Sequence, residues 1–134
     1  MNNKGFAVSQ EARFDEAIKC FDKAIEINPK NTTAWNIEGI AFYQLARFDE
    51  AIKCFDKAIE IFSYYKDAWN NKGLSLYMKK DYNLAIKCFD KGVEIDRNFA
   101  DAWFNKAISS RDSGKTEEAT NAFNIAKQLG RDIG

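Results

Sequence analysis

The chain repeats the stretch ARFDEAIKCFDKAIEI, which occupies residues 12–27 and returns unchanged as residues 46–61. The interval between the two copies is 34 residues, and further residues recur at the same interval. They are Trp35, Trp69 and Trp103; Ala17, Ala51, Ala85 and Ala119; and Phe21, Phe55, Phe89 and Phe123. A fixed interval of this length is typical of stacked supersecondary units. The sequence therefore predicts a repeat protein.

Each repeat shows the pattern of two helices. In the second half of the second repeat, apolar residues recur at spacings of three and four, which is typical of one face of an α-helix. These residues are Phe48, Ala51, Ile52, Phe55, Ala58, Ile59 and Phe62. A first helix is expected at about residues 32–44, and residues 45–47 form the turn. Because paired helices approach within roughly 8–10 Å only where side chains are small, Gly39 is expected at the crossing. In the last repeat, Gly114 is expected to cap the first helix.

These recurring residues resemble the signature of the tetratricopeptide repeat, a helix–turn–helix unit of the same length. The matching positions are Trp35, Glu38, Gly39, Phe42, Ala51 and Phe55 in the second repeat and Trp69, Lys72, Gly73, Leu76, Ala85 and Phe89 in the third. The Leu position of the signature is charged here (Glu38, Lys72 and Lys106), and its closing Pro remains only as Pro29. The resemblance covers residues 3–129. It implies an all-α fold, a right-handed superhelical α-solenoid of about four helix-turn-helix units.

The register divides a single domain of residues 1–134 into repeats of about residues 1–31, 32–65, 66–99 and 100–134. In the first repeat the position equivalent to Trp35 falls on Met1. We therefore expect a truncated first helix there, and we interpret the chain as an excerpt of a longer array. In the last repeat, Thr120 and Lys127 replace the Ile and Val of the other repeats. Polar residues on that face are typical of a capping helix.

Composition and charge exclude several functional classes. The 20 Lys and Arg residues balance the 20 Asp and Glu residues, which argues against a nucleic-acid-binding protein because such proteins rely on a basic face. No apolar run reaches the roughly 18 residues of a membrane helix, and the first residues do not resemble a signal peptide. We therefore expect neither nucleic acid nor a membrane as partner, and a cytoplasmic location.

The sequence also lacks a catalytic or metal-binding set. It contains no His, the commonest general base and metal ligand, and no glycine-rich phosphate loop. Acidic pairs such as Asp49 and Glu50 lie at the start of second helices, where they favour the helix dipole. Cys20, Cys54 and Cys88 share one register position and are too far apart for disulfides, so we interpret them as buried or half-buried thiols. We expect no enzyme activity, no cofactor and no metal.

The resemblance places a binding site on the first helices, which in this family line a concave groove that holds extended peptides. The groove residues by register are Asn3, Asn36, Ile40, Tyr43, Asp67, Asn70, Asn71, Leu74, Tyr77, Asp101, Phe104 and Asn105, with Gln44 and Ile108 beside them. Asn3, Asn71 and Asn105 share one position, which resembles the asparagine ladder by which some members grip a peptide backbone. An Asn amide pairs with a backbone N–H and a C=O together. The alternative is that these Asn residues are solvated or cap helices.

Two hypotheses for function follow from this pattern. The first is a scaffold that binds a protein or an extended peptide, neutral to mildly basic because Asp67 and Asp101 lie in the groove. The carboxylate clamp of chaperone-binding members needs Lys and Arg, and this sequence does not supply them at the corresponding positions. Those positions hold Asn36, Ile40, Asp101 and Asn105. The second hypothesis is an assembly module whose incomplete first repeat pairs with another copy, giving a homo-oligomer by end-to-end stacking or by exchange of repeats.

Overall fold

A computed structural model describes residues 3–131 of the chain, with side chains from residue 11 onward. Every element in that range is an α-helix, which confirms the all-α fold. The helices are α1 (Asn3–Ile27), α2 (Thr32–Gln44), α3 (Phe48–Ile61), α4 (Lys66–Met78), α5 (Tyr82–Ile95), α6 (Ala100–Asp112) and α7 (Thr116–Gln128). None of the helices within residues 3–131 has the length and apolarity that crossing a lipid bilayer requires.

The chain divides into two compact units, Met1–Ser63 and Tyr64–Gly134. In the first unit α1 packs on α2, and α2 packs on α3. In the second unit α5 packs between α4 and α6, α7 packs on α6, and α4 also touches α6. The grouping of all residues into one domain stays a prediction.

Small residues allow the two helices of a hairpin to meet. An ideal Cβ on Gly39 of α2 would lie 2.5 Å from Cε1 of Phe55 on α3, and one on Gly73 of α4 would lie 2.5 Å from Cε1 of Phe89 on α5. Both Phe side chains are fully buried. Because each ring occupies the space that a Cβ would need, the glycine at the crossing is a packing requirement of the hairpin.

The turn inside each hairpin places one residue in the left-handed region of backbone space. These residues are Ala46 (φ 60°), Lys80 (φ 67°) and Gly114 (φ 86°), which share one register position. Hydrogen bonds then close the helix end, for example from Arg47 N to Phe42 O at 2.9 Å and from Lys115 N to Ser110 O at 2.8 Å. Bonds of this span are typical of a left-handed helix cap. Only Gly adopts this conformation without a steric cost, so packing of the hairpin holds Ala46 and Lys80 in place.

The first repeat does not form a hairpin. We expected a truncated first helix, and residues 3–27 form one continuous helix that includes Ala12, the counterpart of Ala46. Leu45, which precedes the turn in the second repeat, packs against the core of the first unit, whereas its counterpart Glu11 is exposed. Without a buried anchor to offset the left-handed conformation at Ala12, the helix continues.

The core of the first unit joins all three of its helices. Its buried members are Ile18 from α1, Ala41 and Phe42 from α2, and Ala51, Cys54 and Phe55 from α3. Cys54 and Cys88 are buried, as the shared register predicts, but Cys20 is exposed. The prediction of a buried or half-buried thiol is therefore wrong for Cys20, because no described helix packs over that side of α1.

Candidate functional site

A continuous surface in the second unit is formed by the first helices of two successive repeats, α4 and α6. Three register pairs lie on it, and we refer to these six residues as the α4–α6 face. They are Asp67 with Asp101, Asn71 with Asn105, and Leu74 with Ile108. The two Asp side chains are exposed, and the other four side chains are half-buried. This face therefore presents carboxylate, amide and apolar groups in succession.

A hydrogen bond between two Asn side chains holds α4 and α6 together. Nδ2 of Asn105 donates to Oδ1 of Asn70 at 3.0 Å, and Asn70 is only 9% exposed. The predicted ladder residue Asn105 therefore satisfies a buried amide with part of its hydrogen-bonding capacity. An amide carries two N–H donors and a carbonyl oxygen, so Asn105 retains further groups for another partner.

A second bond joins the other end of the two helices. The Tyr77 hydroxyl donates to Oδ2 of Asp112, and the Tyr77 ring packs on Tyr82 with centroids 5.5 Å apart. This hydrogen bond, with burial and the Asp112 charge, raises the pKa of Tyr77 to about 12. The same bond, aided by Arg111, holds the pKa of the Asp112 carboxyl below its usual value. The sequence analysis missed Asp112. Its register counterparts Gln44 and Met78 are the last residues of the equivalent helices α2 and α4.

The predicted residues Asp101 and Phe104 are engaged by the end of the described chain. Arg131 Nε lies 3.0 Å from Oδ1 of Asp101, and its guanidinium carbon lies 4.3 Å from the centre of the Phe104 ring. Phe123 of α7 contacts the other part of that ring, edge to face, at 5.8 Å. Because Arg131 offsets the Asp101 charge, the face is less acidic than the sequence alone indicates. No pattern in the repeats points to Arg131.

The residue that follows the repeat's Trp is buried in the second and third repeats. Asn36 is 6% exposed and Asn70 is 9% exposed, so neither side chain lies open to a guest as predicted. The bond between Asn70 and Asn105 gives the reason, since it shows that this position faces the next first helix in the second unit. Burial of such an amide is tolerated because a neighbouring polar group satisfies it.

The other predicted residues of the first unit lie in different surroundings. Tyr43 is half-buried, packs against the core of that unit and makes an edge-to-face contact with Phe48 at 5.5 Å. Burial raises the pKa of Tyr43. Ile40 is 36% exposed and its neighbour Ile37 is 37% exposed, so α2 presents apolar rather than amide groups. The side chain of Asn3 lies outside the described residues.

Lys66 of α4 and Lys106 of α6 pair with carboxylates of the α5 region, and Arg111 of α6 pairs with Asp112. Lys66 Nζ lies 2.5 Å from Oδ2 of Asp96, which follows α5, and Lys106 Nζ lies 2.7 Å from Oδ1 of Asp90 on α5. Asp67, by contrast, makes no ion pair within the described part of the chain. The open charge on the α4–α6 face is therefore negative. Among residues 3–131, no three His, Cys, Asp or Glu side chains are grouped to hold a metal ion.

The family can be assigned from sequence comparison. A family model described as the tetratricopeptide repeat matches residues 1–31, 32–65 and 67–99, and a second model of the same description matches residues 88–121. The chain belongs to the tetratricopeptide repeat family. This confirms the resemblance drawn from the Trp, Gly, Ala and Phe positions. No protein with a curated description matches the sequence.

Solved structures show the same fold. A structure titled "Crystal structure of MamA" superposes with a TM-score of 0.83 and 19% identity, covering 87% of this chain and 68% of that one. Another, titled "MamA MSR-1 C2", superposes with a TM-score of 0.76 and 22% identity, covering 93% of this chain and 72% of that one. A third structure is the first tetratricopeptide repeat domain of Spaghetti (RPAP3) bound to the HSP90 peptide SRMEEVD. It superposes with a TM-score of 0.74 and 18% identity, covering 76% of this chain and 82% of that one. At these identities the likeness establishes the fold, an all-α tetratricopeptide repeat solenoid.

Proposed function

We propose that this protein is a non-catalytic interaction scaffold whose α4–α6 face binds an extended segment of a partner protein. The observation that carries the proposal is the alignment of matching residues on two helices that two side-chain hydrogen bonds hold together. Those bonds run from Asn105 to Asn70 and from Tyr77 to Asp112. A surface fixed before binding lowers the ordering cost that a guest must meet.

The Asn pair and the apolar pair have separate roles in this proposal. Asn71 and Asn105 offer amide donors and acceptors to the backbone of an extended guest, which is independent of the guest's sequence. Each such bond contributes about 0.5–1.5 kcal/mol net. Leu74 and Ile108 lie one turn further along and contact apolar side chains of the guest, which gives selectivity. Micromolar affinity is the expected range for a few contacts of this kind.

The charge of the face favours a neutral to mildly basic guest. The RPAP3 domain binds the peptide SRMEEVD, in which three of the last four residues are acidic. Here Lys66 and Lys106 are paired with carboxylates of the α5 region, and Asp67 is the open charge on the face. A Lys or Arg of the guest would meet Asp67, while an acidic guest would be repelled.

The proposal can be tested with an array of immobilised peptides that vary in charge and apolar content. The wild type is compared with an Asn71→Ala/Leu74→Ala variant and with a Lys87→Ala/Lys91→Ala control on the exposed side of α5. We expect the best peptides to be neutral or basic, to lose at least about tenfold in affinity for the first variant, and to bind the control as they bind the wild type. Equal binding by all three proteins would reject the α4–α6 face as the site.

The three thiols suggest the compartment. All three Cys residues are free, and two of them are buried. Unpaired thiols are typical of a reducing compartment, so we propose that the protein acts in the cytoplasm. Recovery of the untagged protein in an extracytoplasmic fraction of its own cells would contradict this.

Self-association is the second candidate function, and the exposed side of α1 favours it. Ala17 and Phe21 of α1 are half-buried, whereas their counterparts Ala51 and Phe55 are fully buried inside a hairpin. Since α1 does not fold back, this apolar strip has no hairpin partner among the described residues, and a second copy of the chain would cover it. Sedimentation at increasing concentration tests this: we expect a dimer that Phe21→Glu abolishes, and a monomer throughout would reject it.

A further inference from the structure

A buried carboxyl group lies between the helices of the first unit. Glu38 of α2 is 4% exposed, and its Oε2 is buried without a hydrogen-bond partner in the described structure. The side chain of Asp22 on α1 lies within hydrogen-bonding reach of this carboxyl group, at the register position from which Asp90 contacts Lys106 in the second unit. Two carboxyl groups can share a hydrogen bond only while one of them holds a proton. The contact between α1 and α2 therefore contains a titratable link.

The equivalent place in the second unit holds an ordinary ion pair. Lys106 occupies the register position of Glu38, and Asp90 occupies that of Asp22. Nζ of Lys106 lies 2.7 Å from Oδ1 of Asp90. Opposite charges thus join α6 to α5, whereas two acids join α2 to α1. The repeat architecture is the same in both places. Because Glu38 stands where the later repeat has Lys106, an attractive ion pair is replaced by a contact between two acids that needs a proton.

The groups around Glu38 do not supply a positive charge. Asp22 faces it from α1, and the Cys54 thiol faces it from α3. Neither Glu38 nor Asp22 forms an ion pair with a Lys or Arg of the described chain. Burial first, and then the bond and charge of Asp22, raise the pKa of Glu38 to about 8. Burial and the nearby carboxylates raise the pKa of Cys54 to about 12, so that thiol stays neutral while Glu38 titrates.

We propose that the Glu38–Asp22 pair is a proton-dependent latch that holds α1 on α2 and releases it when the shared proton is lost. In the closed state the neutral Glu38 carboxyl donates to the Asp22 carboxylate. Loss of that proton leaves two negative charges in contact, one of them buried, which is costly without a cation. Release of α1 removes Ile18 from the core and uncovers Phe42 and Phe55. The latch thereby controls the exposure of an apolar surface.

The direction of the pH effect follows from the raised pKa. The folded state holds the Glu38 proton more tightly than the released state, so the latch contributes its full stability below the ordinary Glu pKa of 4.5 and loses it as pH rises toward about 8. One proton is involved, so the equilibrium for opening rises by at most about tenfold for each pH unit in that interval. Above about pH 8, where Glu38 has lost its proton, the opening equilibrium no longer changes with pH.

Hydrogen exchange of the full chain, followed by mass spectrometry, measures this equilibrium directly. Exchange is recorded between about pH 5.5 and 9 and divided by the intrinsic rate at each pH, with α4–α7 as an internal reference. We expect protection of residues 14–27 to fall as pH rises, approaching about tenfold per unit, while protection of the reference helices stays nearly constant. Flat protection of α1 in the wild type would overturn the proposal without any variant.

Variants at the two equivalent positions separate the latch from general destabilisation. Glu38→Gln removes the titration and Glu38→Lys restores the ion pair seen at Lys106, so both should make the protection of α1 independent of pH. The matched variant Lys106→Glu should transfer the same pH dependence to the α5–α6 contact. If Glu38→Gln and Glu38→Lys retain the wild-type slope, another group is responsible and the proposal is wrong.

Discussion

The hydroxyl group of Tyr77 on α4 donates a hydrogen bond to the carboxylate of Asp112 at the end of α6, and this bond fixes one end of the face that we propose for peptide binding. Asn105 and Asn70 join the same two helices near their middle. Two bonds at separate points along a helix pair restrict both its spacing and its rotation. The positions of Asn71 and Leu74 relative to α6 therefore depend on residues that lie outside the face itself.

Removal of the Tyr77 hydroxyl should weaken the contact between α4 and α6. For Tyr77→Phe we expect a loss of less than about 1 kcal/mol in the free energy of unfolding, because the bond lies near the surface. The pKa of Asp112 is lowered by the bond, so its contribution is present above the unfolded Asp pKa and disappears as pH falls through the folded value. Urea unfolding of both proteins, at neutral pH and in acid, measures the difference. A difference that is larger in acid would contradict the assignment.

The packing of Gly73 against Phe89 predicts opposite effects for two glycine substitutions. A Cβ on Gly73 would lie 2.5 Å from the Phe89 ring, whereas a Cβ on Gly92 would meet its nearest atom, Cβ of Ala102, at 3.5 Å. We expect Gly73→Ala to destabilise the protein by about 1–3 kcal/mol through overpacking, and Gly92→Ala to stabilise it by about 0.5–1 kcal/mol as a helix-interior replacement. Thermal unfolding of the two variants tests the pair. Similar shifts in both would show that the crossing is looser than described.

The continuity of α1 can be tested by one substitution at two equivalent positions. Ala46 has a left-handed backbone, so Ala46→Gly should stabilise the protein by about 1 kcal/mol. Ala12 lies within a helix, so Ala12→Gly should destabilise it by about 0.5–1 kcal/mol. Stabilisation by both substitutions would mean that the first repeat forms a turn after all.

The three Cys residues should differ in reactivity despite their common register. Cys20 is exposed, whereas Cys54 and Cys88 are buried, and burial with nearby carboxylates raises the pKa of Cys54 to about 12. Because the thiolate is the nucleophile, titration with a thiol reagent at about pH 8 should show one fast thiol and two slow ones. A Cys20→Ser variant should lose the fast phase, and its persistence there would place Cys20 in the interior.

Much of the fold could be predicted because the period alone places equivalent residues in equivalent surroundings. Trp35, Gly39 and Phe55 define a helix pair, and the same positions of the next repeat define another. The exception is α1, where Glu11 stands at the position of Leu45 and the anchor of the turn is lost. Register indicates which residues correspond, but it does not show whether a left-handed turn is stabilised enough to form.

The candidate site was harder to predict because neighbouring positions on a first helix face different ways. Asn70 and Asn71 are adjacent and chemically identical, yet Asn70 is buried against Asn105 while Asn71 lies half-buried on the face. Asp112 and Arg131 lie outside the recurring signature, so no comparison between repeats points to them. Glu38 was seen only as a departure from the family's Leu, and its contact with Asp22 emerged from the packing of α1 on α2.

The most direct test of the central claim is a backbone amide NMR titration of the isotopically labelled protein with the best neutral or basic peptide from the array. We predict that the shift changes concentrate at Asn71, Leu74, Asn105 and Ile108 and disappear in the Asn71→Ala/Leu74→Ala variant. Shift changes confined to the exposed sides of α5 and α7, with those four amides unmoved at saturation, would contradict it.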